Sequence, residues 1–158
     1  MATHSAVIAV PPLRRWVVAL AFAAGVAPVL RADGTPVGLW QQRDDRKGDI
    51  RSVIRIDRVG DELVGTVVQA FPRPGEPTDM KCIKCSGDFK DKPIVGLRFM
   101  WGLKGEGRGW DGGRVLDPED GKIYRVKLKL SEDGRTLEVR GYIGFAMLGR
   151  SQTWQRAP

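Results

Sequence analysis

Apolar and polar residues alternate along much of the chain after residue 36, and this alternation predicts β-strands with one buried face. Between residues 50 and 57, three isoleucines and Ser52 fall on one face, and two arginines and Asp57 fall on the other. Stretches 124–130 and 137–143 repeat the pattern. No apolar stripe at helical spacing persists for three turns, so the sequence favours an all-β protein.

Short turns rich in glycine and aspartate separate these alternating stretches. Asp-Gly pairs at 120–121 and 133–134 are typical of tight hairpins. The eight predicted strands span residues 37–43, 50–58, 62–70, 94–102, 108–116, 122–130, 135–143 and 148–156. Sequential hairpins of this kind predict a single eight-stranded up-and-down antiparallel barrel, since closure removes the exposed sheet edges. A longer segment, residues 71–93, interrupts the series with four prolines and both cysteines.

The N-terminal segment has the layout of an export signal. Arg14 and Arg15 precede an uncharged apolar run, residues 16–30, which is too short for an ordinary membrane span. We predict that residues 1–32 form a cleaved signal peptide, with Ala32 the preferred cleavage site and Ala27 the second, and that residues 33–158 form the barrel domain. The signal is Sec-like, although the paired arginines leave Tat export open; an uncleaved anchor is the alternative. The predicted location is periplasmic or secreted.

Charge argues against a nucleic-acid partner. The chain has 26 Lys and Arg against 19 Asp and Glu, a net charge of +7. Removing residues 1–32 removes three arginines and no acid, which leaves 23 − 19 = +4. Nucleic-acid binding favours a stronger, clustered basic face. Attraction to anionic lipid or to an acidic envelope component remains open, beside the simpler interpretation of a soluble basic surface.

Residue content also restricts the chemistry. The one histidine, His4, lies in the predicted signal, so the exported chain has no histidine for a Ser-His-Asp or Cys-His mechanism. The glycine clusters precede no predicted helix and match no phosphate or dinucleotide motif. We therefore predict no enzymatic activity, no cofactor and no metal.

Cys82 and Cys85 form a Cys-x-x-Cys pair with three interpretations. Two cysteines in an exported protein most simply form a structural disulfide. A redox-active dithiol would need a lowered thiolate pKa, which Lys81 and Lys84 would favour. A zinc site would need two further ligands from carboxylates.

Six residues are candidates for ligand binding because they combine aromatic or charged groups with glycine-rich segments. They are Trp101, Trp110, Asp111, Arg140, Tyr142 and Arg150. The two tryptophans flank residues 105–109, a glycine-rich loop that we expect at the rim of the barrel. For the tryptophans the alternative is a place in the core, for Asp111 a loop cap, and for the arginines surface charge or packing of their stems.

Several motifs resemble an uncharacterised bacterial family, domain of unknown function 2147. They include Gly38-Leu39-Trp40, Cys82-x-x-Cys85-x-Gly87 and the terminal run from Arg140 to Trp154. The resemblance covers about residues 36 to 156 and implies an exported lipocalin-like barrel without an established activity.

Lipocalin-like barrels also carry a Gly-x-Trp motif in the first strand and a late arginine that packs over that tryptophan. Here the resemblance assigns closure of the barrel to Gly38, Trp40, Trp154 and Arg156.

Three functional hypotheses remain. The first is a periplasmic, non-enzymatic barrel that binds a small hydrophobic or amphipathic ligand. The second is an envelope structural or interaction module whose barrel interior is filled by side chains. The third is a thiol-redox protein that uses Cys82 and Cys85. The sequence does not predict the oligomeric state.

Overall fold

The computed structural model describes residues 34–158, and within them eight strands form one closed antiparallel barrel. The strands are β1 (Gly38–Arg43), β2 (Ile50–Val59), β3 (Glu62–Ala70), β4 (Arg98–Glu106), β5 (Gly109–Asp117), β6 (Lys122–Leu130), β7 (Thr136–Tyr142) and β8 (Arg150–Arg156). Each strand pairs with its neighbour in sequence, and β1 pairs with β8 to close the ring. The all-β, up-and-down barrel prediction is confirmed. The predicted signal peptide, residues 1–32, lies outside the described residues.

The strand connections fall at two opposite ends of the barrel, because consecutive antiparallel strands reverse direction. We call one end the closed end; it carries residues 34–37, the C-terminus and the short turns after β2, β4 and β6. The open end carries the other four connections, residues 44–49, 71–97, 118–121 and 143–149. The two ends therefore differ in the length and composition of their loops.

The predicted position of β4, residues 94–102, is wrong by four residues. Residues 94–97 form a turn instead, in which the Leu97 N–H donates to the Ile94 carbonyl at 3.1 Å and Gly96 has φ +90°. The strand continues through Gly102 and Gly105, both at positive φ, which only glycine adopts without strain. The long loop consequently extends to residue 97.

The half of the barrel near the closed end is filled by side chains. Inward-facing residues from five strands are fully buried here: Trp40, Ile56, Leu63, Leu103 and Leu137. Trp40 is fixed in this layer, since its indole Nε1 donates to the Pro36 carbonyl at 2.7 Å. Because large apolar side chains fill this half of the barrel, a cavity inside it lies in the half near the open end.

The long loop, residues 71–97, packs onto the barrel through a buried disulfide. Cys82 and Cys85 are bonded to each other and are 0 % and 4 % exposed. Phe89, in a short 3-10 turn, stacks on Trp101 of β4 with ring centroids 5.7 Å apart. Gly121 of the turn after β5 lies so close to this loop that an added Cβ would sit 2.0 Å from the Lys84 carbonyl oxygen. The predicted Cys82–Cys85 disulfide is confirmed.

Candidate functional site

A cavity of about 920 Å³ opens at the open end of the barrel. Its inner wall is apolar and comes from six strands: Ile54, Val67, Phe99, Val115, Val139 and Trp154. Gly141 adds no side chain to this wall, and the space beside it stays free. A cavity of this size lies within the range of about 300–1,000 Å³ that small-molecule sites occupy.

A line of polar side chains crosses the cavity wall between β2, β1 and β8. Ser52 Oγ donates to Gln42 Oε1 at 3.1 Å, and Gln42 Nε2 lies 3.5 Å from Gln152 Oε1. Gln152 Oε1 also accepts from Trp154 Nε1 at 3.3 Å. The last two bonds are long and therefore weak, so a polar group of a ligand can replace them at small cost.

Ion pairs connect the loops around the cavity mouth. Arg73 of the long loop bonds Asp44 in the turn after β1 and also Glu76, the latter at 3.2 Å. Arg51 of β2 bonds Glu76 at 3.0 Å and the Phe71 carbonyl at 2.6 Å. These contacts fix the long loop against the first hairpin and so define one side of the mouth.

The acids in these pairs are held in their charged form. The Arg73 guanidinium, aided by the N–H groups of Arg46 and Lys47, holds the pKa of Asp44 well below its ordinary value of 3.8. The Arg73 N–H and the Arg51 guanidinium likewise lower the pKa of Glu76. The mouth therefore keeps its ion pairs at neutral and mildly acidic pH.

Two of the candidate residues, Tyr142 and Arg150, line the cavity mouth. Arg150 forms an exposed ion pair with Asp45. The Tyr142 hydroxyl donates to Asp111 Oδ1 at 3.1 Å, and burial together with this bond raises the pKa of Tyr142. Asp111 itself does not line the cavity; it also accepts from the Gly112 N–H at 2.6 Å. Asp111 thus positions Tyr142.

Arg140 lies outside the cavity and shapes the loop between β7 and β8. Its guanidinium donates to the carbonyls of Ala146 and Met147 at 2.7 and 3.3 Å and to Ser151 Oγ at 2.9 Å. Ala146–Leu148 form a 3-10 turn in this loop. A direct contact between Arg140 and a ligand in the cavity is therefore not supported.

Trp101, Trp110 and the glycine-rich segment lie away from the cavity. Residues 105–109 form a tight hairpin at the closed end, in which Glu106 pairs with Gly109. Trp110 is buried, and among the described residues its Nε1 has no hydrogen-bond partner. Trp101 packs against Phe89 of the long loop. The sequence does not say at which end of the barrel a given hairpin lies, and the structure puts this one opposite the cavity.

Arg156 closes the barrel at the other end. Its guanidinium carbon lies 4.4 Å from the centroid of the Trp40 ring, and its nitrogens donate to the carbonyls of Thr35, Val37 and Gly134 at 2.9, 3.0 and 2.8 Å. Gly38 leaves room for this side chain, since an added Cβ would sit 2.8 Å from the Arg156 Nη1. These contacts join the N-terminal segment, the turn after β6 and the C-terminal strand.

Trp154 stands two positions before Arg156 on β8, opposite Leu137 of the filled layer. It also lines the cavity and meets Phe99 at a centroid distance of 6.4 Å. Trp154 and Phe99 therefore form the aromatic floor of the cavity.

Sequence reasoning missed the polar residues of the wall and mouth. Gln42 and Gln152 each stand two positions from an inward tryptophan, and Ser52 shares a strand face with isoleucines. Polar residues at positions where alternation predicts burial were thus a usable signal. Nothing local marked the ion pairs of Arg73 and Asp44, which are 29 residues apart.

Two other kinds of feature are absent from residues 34–158. No group of three or more His, Cys, Asp or Glu side chains there is arranged to hold a metal ion. No helix in this part of the chain is long and apolar enough to cross a membrane.

Comparison with known proteins agrees with the fold. Residues 38–156 match a family described as uncharacterised proteins conserved in bacteria, domain of unknown function 2147. A solved structure from the human pathogen Helicobacter pylori, described as belonging to the lipocalin family, superposes with a TM-score of 0.67. It is 19 % identical in sequence, and the match covers 78 % of this chain and 84 % of that one. No curated protein shows significant similarity to this chain.

Proposed function

Since the chain belongs to the uncharacterised bacterial family of domain-of-unknown-function 2147 proteins, which the resemblance had indicated, we propose that it is a non-enzymatic barrel that binds a small, partly apolar ligand. The observation that carries the proposal is the cavity at the open end, with an apolar wall and one polar line across it. Lipocalin-like architecture suits this role, because an eight-stranded barrel can hold one small molecule.

The cavity wall indicates the kind of ligand. An apolar body would rest against Phe99, Val139 and Trp154, and a polar group would bond to Gln42 or Gln152. Gln152 Nε2 donates a long bond of 3.4 Å to Asp45 Oδ2, so a ligand carbonyl, hydroxyl or carboxyl group can compete for this N–H donor. The ligand class is therefore amphipathic, with a single polar end.

The alternative of a filled barrel agrees with only one half of the interior. Side chains fill the layer around Trp40, while the cavity occupies the space between Trp154 and the open end.

The thiol-redox alternative is disfavoured by burial. Cys82 and Cys85 lie in the apolar core, where a partner thiolate cannot reach the disulfide unless the long loop opens.

We place this binding in the bacterial periplasm or outside the cell. The support comes from the sequence of residues 1–32 and from the disulfide, which persists in oxidising compartments. Fractionation followed by N-terminal sequencing tests the location. The expected product begins at Asp33 in the exported fraction; a cytoplasmic product that retains Met1 would contradict it.

Gly141 offers a direct test of the cavity. A Cβ added there would meet the Tyr124 Cβ at 3.9 Å and the Val115 Cγ1 at 4.0 Å, both ordinary contacts, so Gly141→Phe fits the backbone and fills cavity space. Gly109→Phe is the matched control, because a Cβ at Gly109 meets nothing within 4 Å at the closed end. Neither glycine needs a positive φ.

The assay is titration with N-phenyl-1-naphthylamine, an apolar dye that fluoresces when it leaves water. Gly141→Phe should weaken dye binding by about tenfold or more, since overpacking a filled site costs about 1–3 kcal/mol. Gly109→Phe should bind as wild type. Equal dye affinity of Gly141→Phe and wild type, at equal melting temperature, would refute the proposed site.

A further inference from the structure

The two glutamine amides on the cavity wall each have one orientation, because they bond to groups that can only donate or only accept. Trp154 Nε1 only donates, and it donates to Gln152 Oε1 at 3.3 Å. The Asp45 carboxylate only accepts, and it accepts from Gln152 Nε2 at 3.4 Å. Gln42 is fixed in the same way, since its Nε2 donates to the Arg43 carbonyl at 3.1 Å.

With these orientations, hydrogen-bonding positions of both kinds stay open on the wall. One hydrogen of Gln152 Nε2 has no partner among the described residues. Ser52 Oγ donates to Gln42 Oε1 at 3.1 Å, and within residues 34–158 no donor reaches the lone pairs of Ser52 Oγ or the second lone pair of Gln42 Oε1. All three side chains line the cavity. A group that satisfies them all must donate as well as accept.

We propose, on the basis of the proposed function, that the polar end of the ligand is an uncharged group that both donates and accepts a hydrogen bond, a hydroxyl or an amide with an N–H. A carboxylate only accepts, and an ammonium group only donates. Either ion would leave part of the wall unpaired, and a polar group buried without its partner is costly.

The charges around the cavity offer no partner for an anionic head group at the wall. Arg51 and Arg150, the cations beside the wall glutamines and Ser52 on β2 and β8, are already in ion pairs. Arg46 and Lys81 are exposed on the loops of the mouth, where water screens their charges. A ligand carboxylate at Gln152 would also meet the carboxylate of Asp45. The complete lining has six acids and five cations: Asp44, Asp45, Glu76, Asp117, Glu119 and Asp120, against Arg46, Arg51, Arg73, Lys81 and Arg150.

A cationic head group would suit a different part of the mouth. Asp117, Glu119 and Asp120 line it from the end of β5 and the turn that follows, and neither β5 nor β6 neighbours β1 or β8. Asp117 Oδ1 accepts from the Glu119 N–H at 2.8 Å, and Asp120 Oδ1 accepts from the Lys122 N–H at 2.9 Å. These acids therefore already serve the turn, and an ammonium group beside them would leave the glutamines unfilled.

Isothermal titration calorimetry of the full chain with decan-1-ol, decanoate and decylammonium tests the head group, since the three probes share one alkyl chain. At mildly alkaline pH both ions are fully charged. Decanol should bind about tenfold or more tightly than either ion, because a buried charge without a partner is costly. Decanoate or decylammonium binding as tightly as decanol would overturn the uncharged head group and leave the cavity in place. No binding of any probe would overturn the proposed function as well.

A substitution on the wall tests where the head group bonds. Gln152→Leu removes the amide and should weaken decanol by about fivefold, the loss of one or two neutral hydrogen bonds, while the dye binds as before. Gln155→Leu is the matched control, because Gln155 lies on the same strand with an exposed side chain, and it should bind decanol as wild type. Ser52→Ala, which removes only a hydroxyl, should weaken decanol by about threefold. Wild-type decanol affinity in both Gln152→Leu and Ser52→Ala would overturn the assignment.

Discussion

Arg156 should be the most costly single charge to remove from this barrel. Its guanidinium donates to three carbonyls, those of Thr35, Val37 and Gly134, and covers the Trp40 ring at 4.4 Å. A hydrogen bond from a charged donor contributes about 1.5–3 kcal/mol, and a partly exposed cation–π contact about 1 kcal/mol. Water can replace part of the lost bonding, so Arg156→Ala should lower the free energy of unfolding by about 3 kcal/mol.

Substitution by lysine separates charge from geometry. Arg156→Lys keeps the positive charge over Trp40 but loses the planar fork that reaches three carbonyls at once. Its cost should be intermediate, about 1–2 kcal/mol. Arg135→Ala serves as a matched control, because Arg135 is exposed in the adjacent turn, and its change should stay within about 0.5 kcal/mol.

Urea unfolding followed by tryptophan fluorescence measures these differences, and thermal melts should show Arg156→Ala lower by about 10–15 °C. Because Arg156 joins the N-terminal segment to the last strand, hydrogen exchange should also accelerate first at β1 and β8. The reasoning is refuted if Arg156→Ala unfolds within 0.5 kcal/mol of wild type, on the order of a neutral surface change, or if lysine matches arginine.

Three further predictions concern the open end. Gly121→Ala should lower the free energy of unfolding by about 2–4 kcal/mol, because residue 121 has a positive φ and its added Cβ would collide with the backbone of the long loop. Thermal melts test this, and an unchanged melting temperature would contradict the close contact. Cys82→Ser/Cys85→Ser should lower the free energy of unfolding by roughly 2 kcal/mol or more and leave dye binding unchanged. Loss of dye binding without loss of stability would instead favour a functional role for the cysteine pair. Because the pKa of Asp44 is lowered in the folded protein, its ion pair with Arg73 contributes its full stability above the ordinary pKa of 3.8, and this contribution declines as the pH falls from there toward the lowered pKa. The advantage of wild type over Asp44→Asn should therefore be constant from neutral to mildly acidic pH and shrink in more acidic melts, and a constant difference throughout would contradict the assignment.

The fold was predictable because its signals are local. Alternation identified all eight strands, and seven of them lie within two residues of their predicted bounds. The exception, β4, depends on whether glycines at 96, 102 and 105 end a strand or bend it, and their conformation is set by the neighbouring strands rather than by their own sequence.

The candidate site was less predictable because it is assembled from distant parts of the chain. Of the candidates, Tyr142 and Arg150 line the mouth, whereas Trp110 lies at the opposite end and Arg140 supports a loop. Gln42 meets Gln152 only because β1 closes on β8, a contact across 110 residues of sequence.

The sequence by itself determined the strands, the turns and the closed topology, since a period of two and an Asp-Gly turn act over a few neighbouring residues. The tertiary structure alone decided which end is filled and which is open, where the polar line of Ser52, Gln42 and Gln152 forms, and which charges pair across the mouth. Those features depend on strand register and loop path, and both are set by packing across the whole barrel.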